Sequence, residues 1–154
     1  MNEVSIKSLP RLAAVSVEHI GPYTEIKDAF DRLFGWLNAR NLSGTDIRMF
    51  GAFYDDPAIV AAGKLHSRAA AVTEATFDIE PPLERTDIGG GEYAVLRYKG
   101  PYDGLMPQYD HLYKEWLPKS GRQPGRGPSL EEYLNDPGNT PPSELLTDIF
   151  IPLA

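Results

Sequence analysis

The stretch YAVLRYKGPYDGLMPQYDHLYKEWLP, residues 93–118, combines three patterns that together indicate the fold. Apolar residues first alternate with polar ones, a Gly-Pro-Tyr motif follows, and apolar residues then recur at helical spacing. An earlier stretch, AAVSVEHIGPYTEIKDAFDRLFGWLN at residues 13–38, has the same three patterns in the same order. The two Gly-Pro-Tyr motifs begin at Gly21 and Gly100, 79 residues apart (100 − 21), which is about half of the 154-residue chain. The sequence therefore contains an internal repeat.

The 79-residue offset also relates the apolar positions of the two stretches. Alternating strand positions correspond as Val15, Val17 and His19 to Ala94, Leu96 and Tyr98. Apolar helix positions correspond as Ile26, Phe30, Leu33 and Leu37 to Leu105, Tyr109, Leu112 and Trp116. Because proline suits the first turn of a helix, Pro22 and Pro101 predict helix starts. We expect helices over residues 22–40 and 102–116, and late strands over residues 70–79 and 145–153.

Each half thus reads as strand, helix, strand, strand, which predicts an α+β fold. We expect a pseudo-symmetric tandem of two such units, with antiparallel sheets, two main helices and a central cleft. The chain is interpreted as one domain, residues 1–154, with repeat halves of approximately 1–82 and 83–154. The proline- and glycine-rich segment PPLERTDIGGGEYAV, residues 81–95, is the expected boundary between the halves.

Composition excludes several classes of function. The formal net charge is −7, which disfavours binding to nucleic acid and favours cationic small molecules or basic proteins. There is no cysteine, so disulfides, thiolate catalysis and cysteine-based zinc sites are excluded. The three histidines lack metal-ligand spacing, and no cofactor is expected. No apolar run approaches membrane-spanning length, and we expect a cytoplasmic protein with no membrane association.

Four segments in register identify a resemblance to a known family. They are IGGGEYAVLRYKGPY, WLPKSG, PSLEEYLNDP and ELLTDIFIPL. In this order and spacing they closely resemble the GyrI-like family, which includes the DNA gyrase inhibitory protein SbmC and the effector-binding domains of AraC-type and MerR-type transcription regulators. The resemblance covers essentially the whole chain, and it implies the same tandem fold. It also implies binding of bulky, often cationic and aromatic small molecules in a central cleft.

Two departures from the family pattern affect the expected function. Regulators of this family carry a helix-turn-helix domain, and this sequence contains no such pattern, so we do not expect a transcription factor. The family often has Lys-Leu-Arg-Tyr-Asp after the turn of the first half, whereas this chain has KLHSR. His66, Ser67 and Arg68 occupy the last three positions, so an acidic position has become basic.

The family pattern Pro-x-x-Glu-x-Tyr, here PSLEEY, makes Glu131 the main candidate for chemistry. Period two along a strand places Glu131 and Tyr133 on one face and Glu132 on the other. The resemblance implies that Glu131 lies in the ligand cleft, where a carboxylate beside aromatic rings favours a cation. Candidate wall residues are Tyr113 and Trp116 from the second helix and Phe53 from the first half. The other helix tyrosines, including Tyr109 and Tyr102, are interpreted as core.

Three functions remain open from the sequence. The first is binding of a cationic or aromatic small molecule for sequestration or detoxification. The second is hydrolysis of a cyclopropane-bearing genotoxic compound, with Glu131 as the catalytic residue that activates water. The third is inhibition or protection of DNA gyrase through protein interaction. The sequence supports a cleft, and it does not identify a ligand.

Overall fold

The computed structural model describes residues 3–40, 47–73 and 79–154, and it has the predicted mixed α+β architecture. The strands in chain order are β1 (Val4–Leu9), β2 (Leu12–Ile20), β3 (Arg48–Phe53), β4 (His66–Val72), β5 (Leu83–Ile88), β6 (Gly91–Lys99), β7 (Ser129–Tyr133) and β8 (Leu146–Pro152). The helices are α1 (Lys27–Ala39), α2 (Leu105–Asp110) and α3 (Leu117–Ser120), and a π-helical segment, His111–Trp116, joins the last two.

The chain forms two compact units. The N unit is Arg11–Gly89, and the C unit consists of Met1–Pro10 and Gly90–Ala154. The strand order is β3-β4-β2-β5 in the N unit and β1-β6-β8-β7 in the C unit. Every pairing between neighbouring strands within a unit is antiparallel. The predicted antiparallel sheets and two main helical regions are therefore confirmed.

The units differ from the predicted sequence halves at β1 and β5. The first strand of the chain pairs with β6, so it belongs to the C unit. The strand β5 occupies the equivalent place in the N unit, where it pairs with β2. The segment predicted as a boundary, residues 81–95, therefore contains a paired strand. Its mostly polar residues suit a strand that has a neighbour on one side only.

Backbone contacts around the Gly-Pro-Tyr motifs confirm the repeat. The N–H group of Gly21 donates to the Leu65 carbonyl at 2.8 Å. The N–H group of Gly100 donates to the Leu145 carbonyl, also at 2.8 Å. Since 21 + 79 is 100, and 65 + 80 is 145, the same bond closes the same turn in each unit.

Each unit buries one face of its sheet under its helical region. In the C unit, Leu105, Leu112 and Leu117 pack on Leu96 and Ile149. The equivalent N-unit cluster, from α1 and the strands β2, β4 and β5, consists of Val15, Val17, Ala29, Leu33, Leu37, Ala69, Ala71 and Leu83. The predicted apolar helix faces are thus the buried ones, because burial of apolar area is the main favourable term in folding.

The helices and one strand differ from the predicted bounds. A short 3-10 turn, Tyr23–Glu25, precedes α1, and another, Tyr102–Gly104, precedes α2. The second helical region continues to Ser120 rather than ending at residue 116. The late strand predicted over residues 70–79 begins and ends earlier, as β4, and residues 74–78 lie outside the described part of the chain.

Within the described ranges, no helix combines the length and the apolar composition needed to cross a membrane.

Candidate functional site

Glu131 lies on the helix-covered face of the C-unit sheet. It stands directly opposite Ile149 in the β7–β8 register, and Ile149 stands opposite Leu96 of β6. Both of these neighbours belong to the core under α2 and the π-helical segment. Only 7% of the Glu131 surface is exposed, so its carboxylate lies in an environment that disfavours charge.

Two phenols hold the carboxylate from two different elements. The hydroxyl of Tyr109 in α2 donates to Glu131 Oε2 at 2.6 Å. The hydroxyl of Tyr133, two residues along β7, donates to Glu131 Oε1 at 2.8 Å. Each carboxylate oxygen thus accepts one hydrogen bond, and the bond from Tyr109 has the short length that is typical of a charged acceptor.

Burial decides the protonation chemistry of this cluster. Loss of water raises the pKa of Glu131, and the two phenol hydrogen bonds lower that pKa only in part. Burial, reinforced by the neighbouring Glu131 charge, raises the pKa values of Tyr109 and Tyr133 well above 10.0. The phenols therefore remain protonated donors. In the described part of the chain, no basic side chain forms an ion pair with Glu131.

A third tyrosine extends the aromatic surface around Glu131. The ring of Tyr102 meets that of Tyr133 edge-on, with centroids 5.6 Å apart and an interplanar angle of 68°. Tyr102 is the tyrosine of the second Gly-Pro-Tyr motif, and 37% of its surface is exposed. The motif therefore places an accessible ring beside the buried carboxylate.

The structure brings some of the predicted site residues together. Glu131 and Tyr133 are in direct contact, as the alternation of β7 predicts. Trp116 is partly buried against the C-unit core, and Tyr113 is 44% exposed. Phe53 lies in the N unit, where its ring packs edge-on against Tyr23 at 5.0 Å.

Tyr109 and Tyr102 belong to this cluster, although the sequence pattern predicts both of them in the core. Tyr109 shares the helix face of Leu105 and Leu112, which was read as apolar. A phenol on an otherwise aliphatic face needs a hydrogen-bond partner when it is buried. A buried tyrosine in α2 and a glutamate in a strand beneath that helix are therefore the signal that could have identified the Tyr109–Glu131 contact.

Glu132 lies on the opposite face of β7. It stands opposite Asp148 of β8, and Asp148 stands opposite Arg97 of β6. Arg97 donates two hydrogen bonds to Asp148, from Nε at 2.8 Å and from a terminal nitrogen at 3.0 Å. Glu132 therefore points away from Glu131, as predicted, and it is buried near the Arg97–Asp148 pair.

The basic residue of the KLHSR segment, Arg68, is paired with acidic residues of the N unit. Arg68 of β4 forms ion pairs with Glu18 at 3.2 Å and with Glu84 at 3.4 Å. The equivalent pair in the C unit is Arg97 with Asp148, in which the acid and the base are exchanged. The basic residue at position 68 is therefore accommodated by an acid on the neighbouring strand.

Comparison with known proteins assigns the chain to a family. A model of the GyrI-like small molecule binding domain matches residues 2–154. The chain belongs to the GyrI-like family. A protein of Edwardsiella piscicida named DNA gyrase inhibitor is 30% identical over 139 residues, covering 87% of this chain and 88% of that protein.

Two solved structures match the fold. The EcmrR C-terminal domain superposes with a TM-score of 0.79 at 17% identity, covering 100% of this chain and 98% of that one. The structure of SAV2435 bound to tetraphenylphosphonium superposes with a TM-score of 0.63 at 14% identity, covering 99% and 94%. The family and fold expected from the sequence are confirmed, and the protein is a GyrI-like small-molecule-binding domain.

Metal binding finds no support in the described residues, which contain no group of three or more His, Cys, Asp or Glu side chains placed to hold an ion.

Proposed function

We propose that this GyrI-like domain binds a bulky cationic, aromatic small molecule at Glu131 and thereby sequesters it. Glu131 supplies the charge, and Tyr102, Tyr109 and Tyr133 supply the aromatic surface. The observation that carries the proposal is a carboxylate that is almost fully buried, held by two neutral phenols, and without a basic partner among the described residues.

The energetics of an unpaired buried carboxylate favour a cationic ligand. Such a group is costly in the empty protein, since its hydration is lost and no opposite charge replaces it. A ligand cation would offset that cost, and its attraction to the ring faces would add cation–π stabilisation. The tetraphenylphosphonium bound by SAV2435 is a ligand of this chemical class.

Calorimetric titration with a matched pair of ions tests the proposal. Tetraphenylphosphonium and tetraphenylborate have nearly the same shape and opposite charge. We expect only the cation to bind, and we expect Glu131→Gln to weaken its binding by roughly ten- to a hundred-fold, because Coulomb attraction in a desolvated site is lost. Glu132→Gln, on the other face of β7, is the control and should leave affinity unchanged. Equal losses in the two variants, or equal binding of the two ions, would overturn the proposal.

Hydrolysis is a second candidate, favoured by the raised pKa of Glu131. A carboxyl group whose pKa lies closer to neutrality can act as a general base or acid, and the Tyr133 hydroxyl lies at hydrogen-bond distance from it. Incubation with a cyclopropane-bearing alkylating compound in oxygen-labelled water tests this role by mass spectrometry. Uptake of one labelled oxygen, abolished in Glu131→Gln, is the expected result for an enzyme, and unchanged compound leaves binding alone.

A role at DNA gyrase is the third candidate, and it rests on the name of the Edwardsiella relative. A supercoiling assay with purified gyrase, with and without this protein, tests it directly.

A further inference from the structure

Two buried hydroxyl groups stand at equivalent positions of the repeat. Thr147 of β8 and Ser67 of β4 are 80 residues apart (147 − 67), and each is 0% exposed. Among the described residues, neither Thr147 Oγ1 nor Ser67 Oγ has a hydrogen-bond partner. A buried hydroxyl without a partner is destabilising, because it has given up its hydrogen bonds to water.

The phenols that flank Thr147 are already committed elsewhere. Thr147 stands directly opposite Tyr98 on one side and Tyr133 on the other. The Tyr98 hydroxyl donates to the Pro101 carbonyl at 2.9 Å, and the Tyr133 hydroxyl donates to Glu131 at 2.8 Å. Each phenol has only one proton to donate, so neither can also donate to Thr147.

The surroundings of the two hydroxyls differ in one decisive respect. Thr147 and Glu131 lie on the same face of adjacent strands as diagonal neighbours, with Cα atoms roughly 7–8 Å apart in a regular sheet. The residue at the Glu131 position of the N unit is Gly51, so the carboxylate that neighbours Thr147 has no counterpart at the equivalent place near Ser67. The hydroxyl at 147 is therefore the one that belongs to a charged site.

From this placement we infer that Thr147 is a specificity-determining ligand contact, which selects cations bearing N–H groups over quaternary cations. The inference rests on the proposed function of Glu131. Each Glu131 oxygen accepts one phenol hydrogen bond and retains a further lone pair. A primary ammonium group can donate one N–H to that carboxylate and another to Thr147 Oγ1, whereas a quaternary centre donates none.

The test uses two probes that differ only at nitrogen. They are 1-pyrenylmethylammonium and its N,N,N-trimethyl derivative, both fluorescent aromatic cations at neutral pH. We expect the wild-type protein to bind the primary ammonium more tightly. Thr147→Val keeps the shape and removes the hydroxyl, and it should weaken the primary ammonium about tenfold while changing the quaternary probe less than about twofold.

Ser67→Ala is the matched control. It removes the equivalent hydroxyl from the unit that lacks the carboxylate, and we expect both affinities to stay unchanged. The melting temperature of each variant, measured without probe, should equal or exceed that of the wild type, since each loses a hydroxyl without a partner. That readout separates a binding defect from a folding defect.

The outcomes distinguish the two proposals. Binding of both probes with no preference, or equal effects of Thr147→Val on the two, overturns the role of Thr147 and leaves Glu131 as a cation site. A marked drop in melting temperature in Thr147→Val assigns the hydroxyl a structural role and likewise overturns the inference. Absence of binding by either cation overturns the proposed function itself.

Discussion

At the scale of single residues, the raised pKa of Glu131 makes stability depend on pH, and under the proposed function it should make binding depend on pH as well. Burial raises the pKa of this carboxyl above its usual value, and Tyr109 and Tyr133 offset that rise only in part. Because the pKa of this carboxyl is higher in the folded than in the unfolded protein, its protonation favours the folded state, and this contribution to stability is present at low pH. This contribution is complete below the unfolded pKa and is lost as pH rises through the folded pKa.

The variant Glu131→Gln should remove this pH dependence. From pH about 4 upward, where unfolded Glu begins to ionise, the unfolding free energy of the variant should gain on that of the wild type until the folded carboxyl is fully ionised. Urea unfolding of both proteins across this range measures the difference. Binding of tetraphenylphosphonium by the wild type should strengthen over the same range, since the carboxylate becomes charged. If the unfolding free energy of Glu131→Gln instead falls relative to that of the wild type as pH rises, the direction assigned to the pKa shift is wrong.

Gly104 is required by the position of the Tyr98 ring. Its φ of −89° is open to any residue, so backbone conformation does not demand glycine here. A Cβ atom at 104 would collide with the Tyr98 phenol, which is held by its bond to the Pro101 carbonyl. We expect Gly104→Ala to cost about 1–3 kcal/mol of unfolding free energy, as overpacked core sites do.

Gly35→Ala provides the contrast for this prediction. Gly35 lies inside α1, and an added Cβ would meet nothing within 4 Å, so the change should stabilise by roughly 0.5–1 kcal/mol. Introducing Gly104→Ala into a Tyr98→Phe background should cost less than in the wild type, because the colliding hydroxyl is absent. Equal costs in both backgrounds, measured by urea unfolding, would reject the steric explanation.

The contact between Glu131 and Tyr133 could be predicted from the sequence, because strand alternation places both residues on one face of β7. Tyr109 was assigned to the core because its contact depends on how α2 is rotated over the sheet. Helical spacing indicates which residues share a face, and it does not indicate which strand residue each of them meets. The partnerless hydroxyl of Thr147 is likewise a property of packing.

At the scale of elements, Pro118 accounts for the irregular second helix. Proline lacks the N–H group that would bond to the Lys114 carbonyl, and its ring crowds that carbonyl. The π-helical segment His111–Trp116 ends two residues before Pro118 and includes Lys114, so the helix widens around the carbonyl that has lost its bond. The equivalent residue of α1 is Ala39, and α1 is a regular α-helix.

The exchanged ion pairs of the two units differ in which partner is buried. Asp148 is the buried partner in the C unit, and its Arg97 is largely exposed. We expect Arg97→Met to cost about 1–3 kcal/mol, because it leaves a buried carboxylate without its two hydrogen bonds. Glu18→Gln in the N unit should cost less than about 1 kcal/mol, since Arg68 retains Glu84 and the Ser16 hydroxyl.

Denaturant unfolding of the two single variants measures both costs. The double variant Arg97→Met/Asp148→Asn serves as the control, because it removes the buried charge together with its partner. It should recover part of the loss seen in Arg97→Met. A larger cost for Glu18→Gln than for Arg97→Met would reverse the assignment of the buried partner.

The strand β5 could not be read from its sequence. Its residues LERTDI follow two prolines and are mostly polar, a composition typical of a linker. It becomes a strand because β2 offers a free edge, against which Leu83 and Ile88 can be buried. Pairing with a partner more than 60 residues earlier in the chain is a tertiary effect that local propensity does not encode.

At the scale of the whole molecule, the repeat was sufficient to predict the fold class. Two copies of one pattern lie 79 residues apart, so a secondary-structure assignment made in one half can be checked against the other half. The residues of the proposed ligand site are not repeated in this way, so the ligand could not be predicted by the same comparison. The Glu131 cluster occurs in the C unit alone, because the N unit has Gly51, Phe53 and Phe30 at the positions of Glu131, Tyr133 and Tyr109.

The charge distribution of the chain argues against DNA as a direct partner. The net charge is −7, and several basic side chains are already paired with acids within their own unit. These pairs are Lys27 with Asp31, Arg40 with Glu80, Arg68 with Glu18, Arg97 with Asp148 and Arg122 with Glu92. DNA affinity depends mainly on neutralising phosphates with unpaired Lys and Arg, and it rises steeply as salt is lowered.

Fluorescence anisotropy with a labelled duplex of mixed sequence tests this expectation at two salt concentrations. We expect no sub-micromolar, sequence-dependent binding at physiological salt. Lowering the salt to about 50 mM should not reveal binding either, because electrostatic repulsion from a polyanion grows as screening falls. Tetraphenylphosphonium, titrated under the same two conditions, should instead bind faster at low salt, since the same negative field attracts a cation. Duplex binding that appears at low salt would show that the basic residues form an accessible face. The net charge would then no longer support a preference for small cations over DNA.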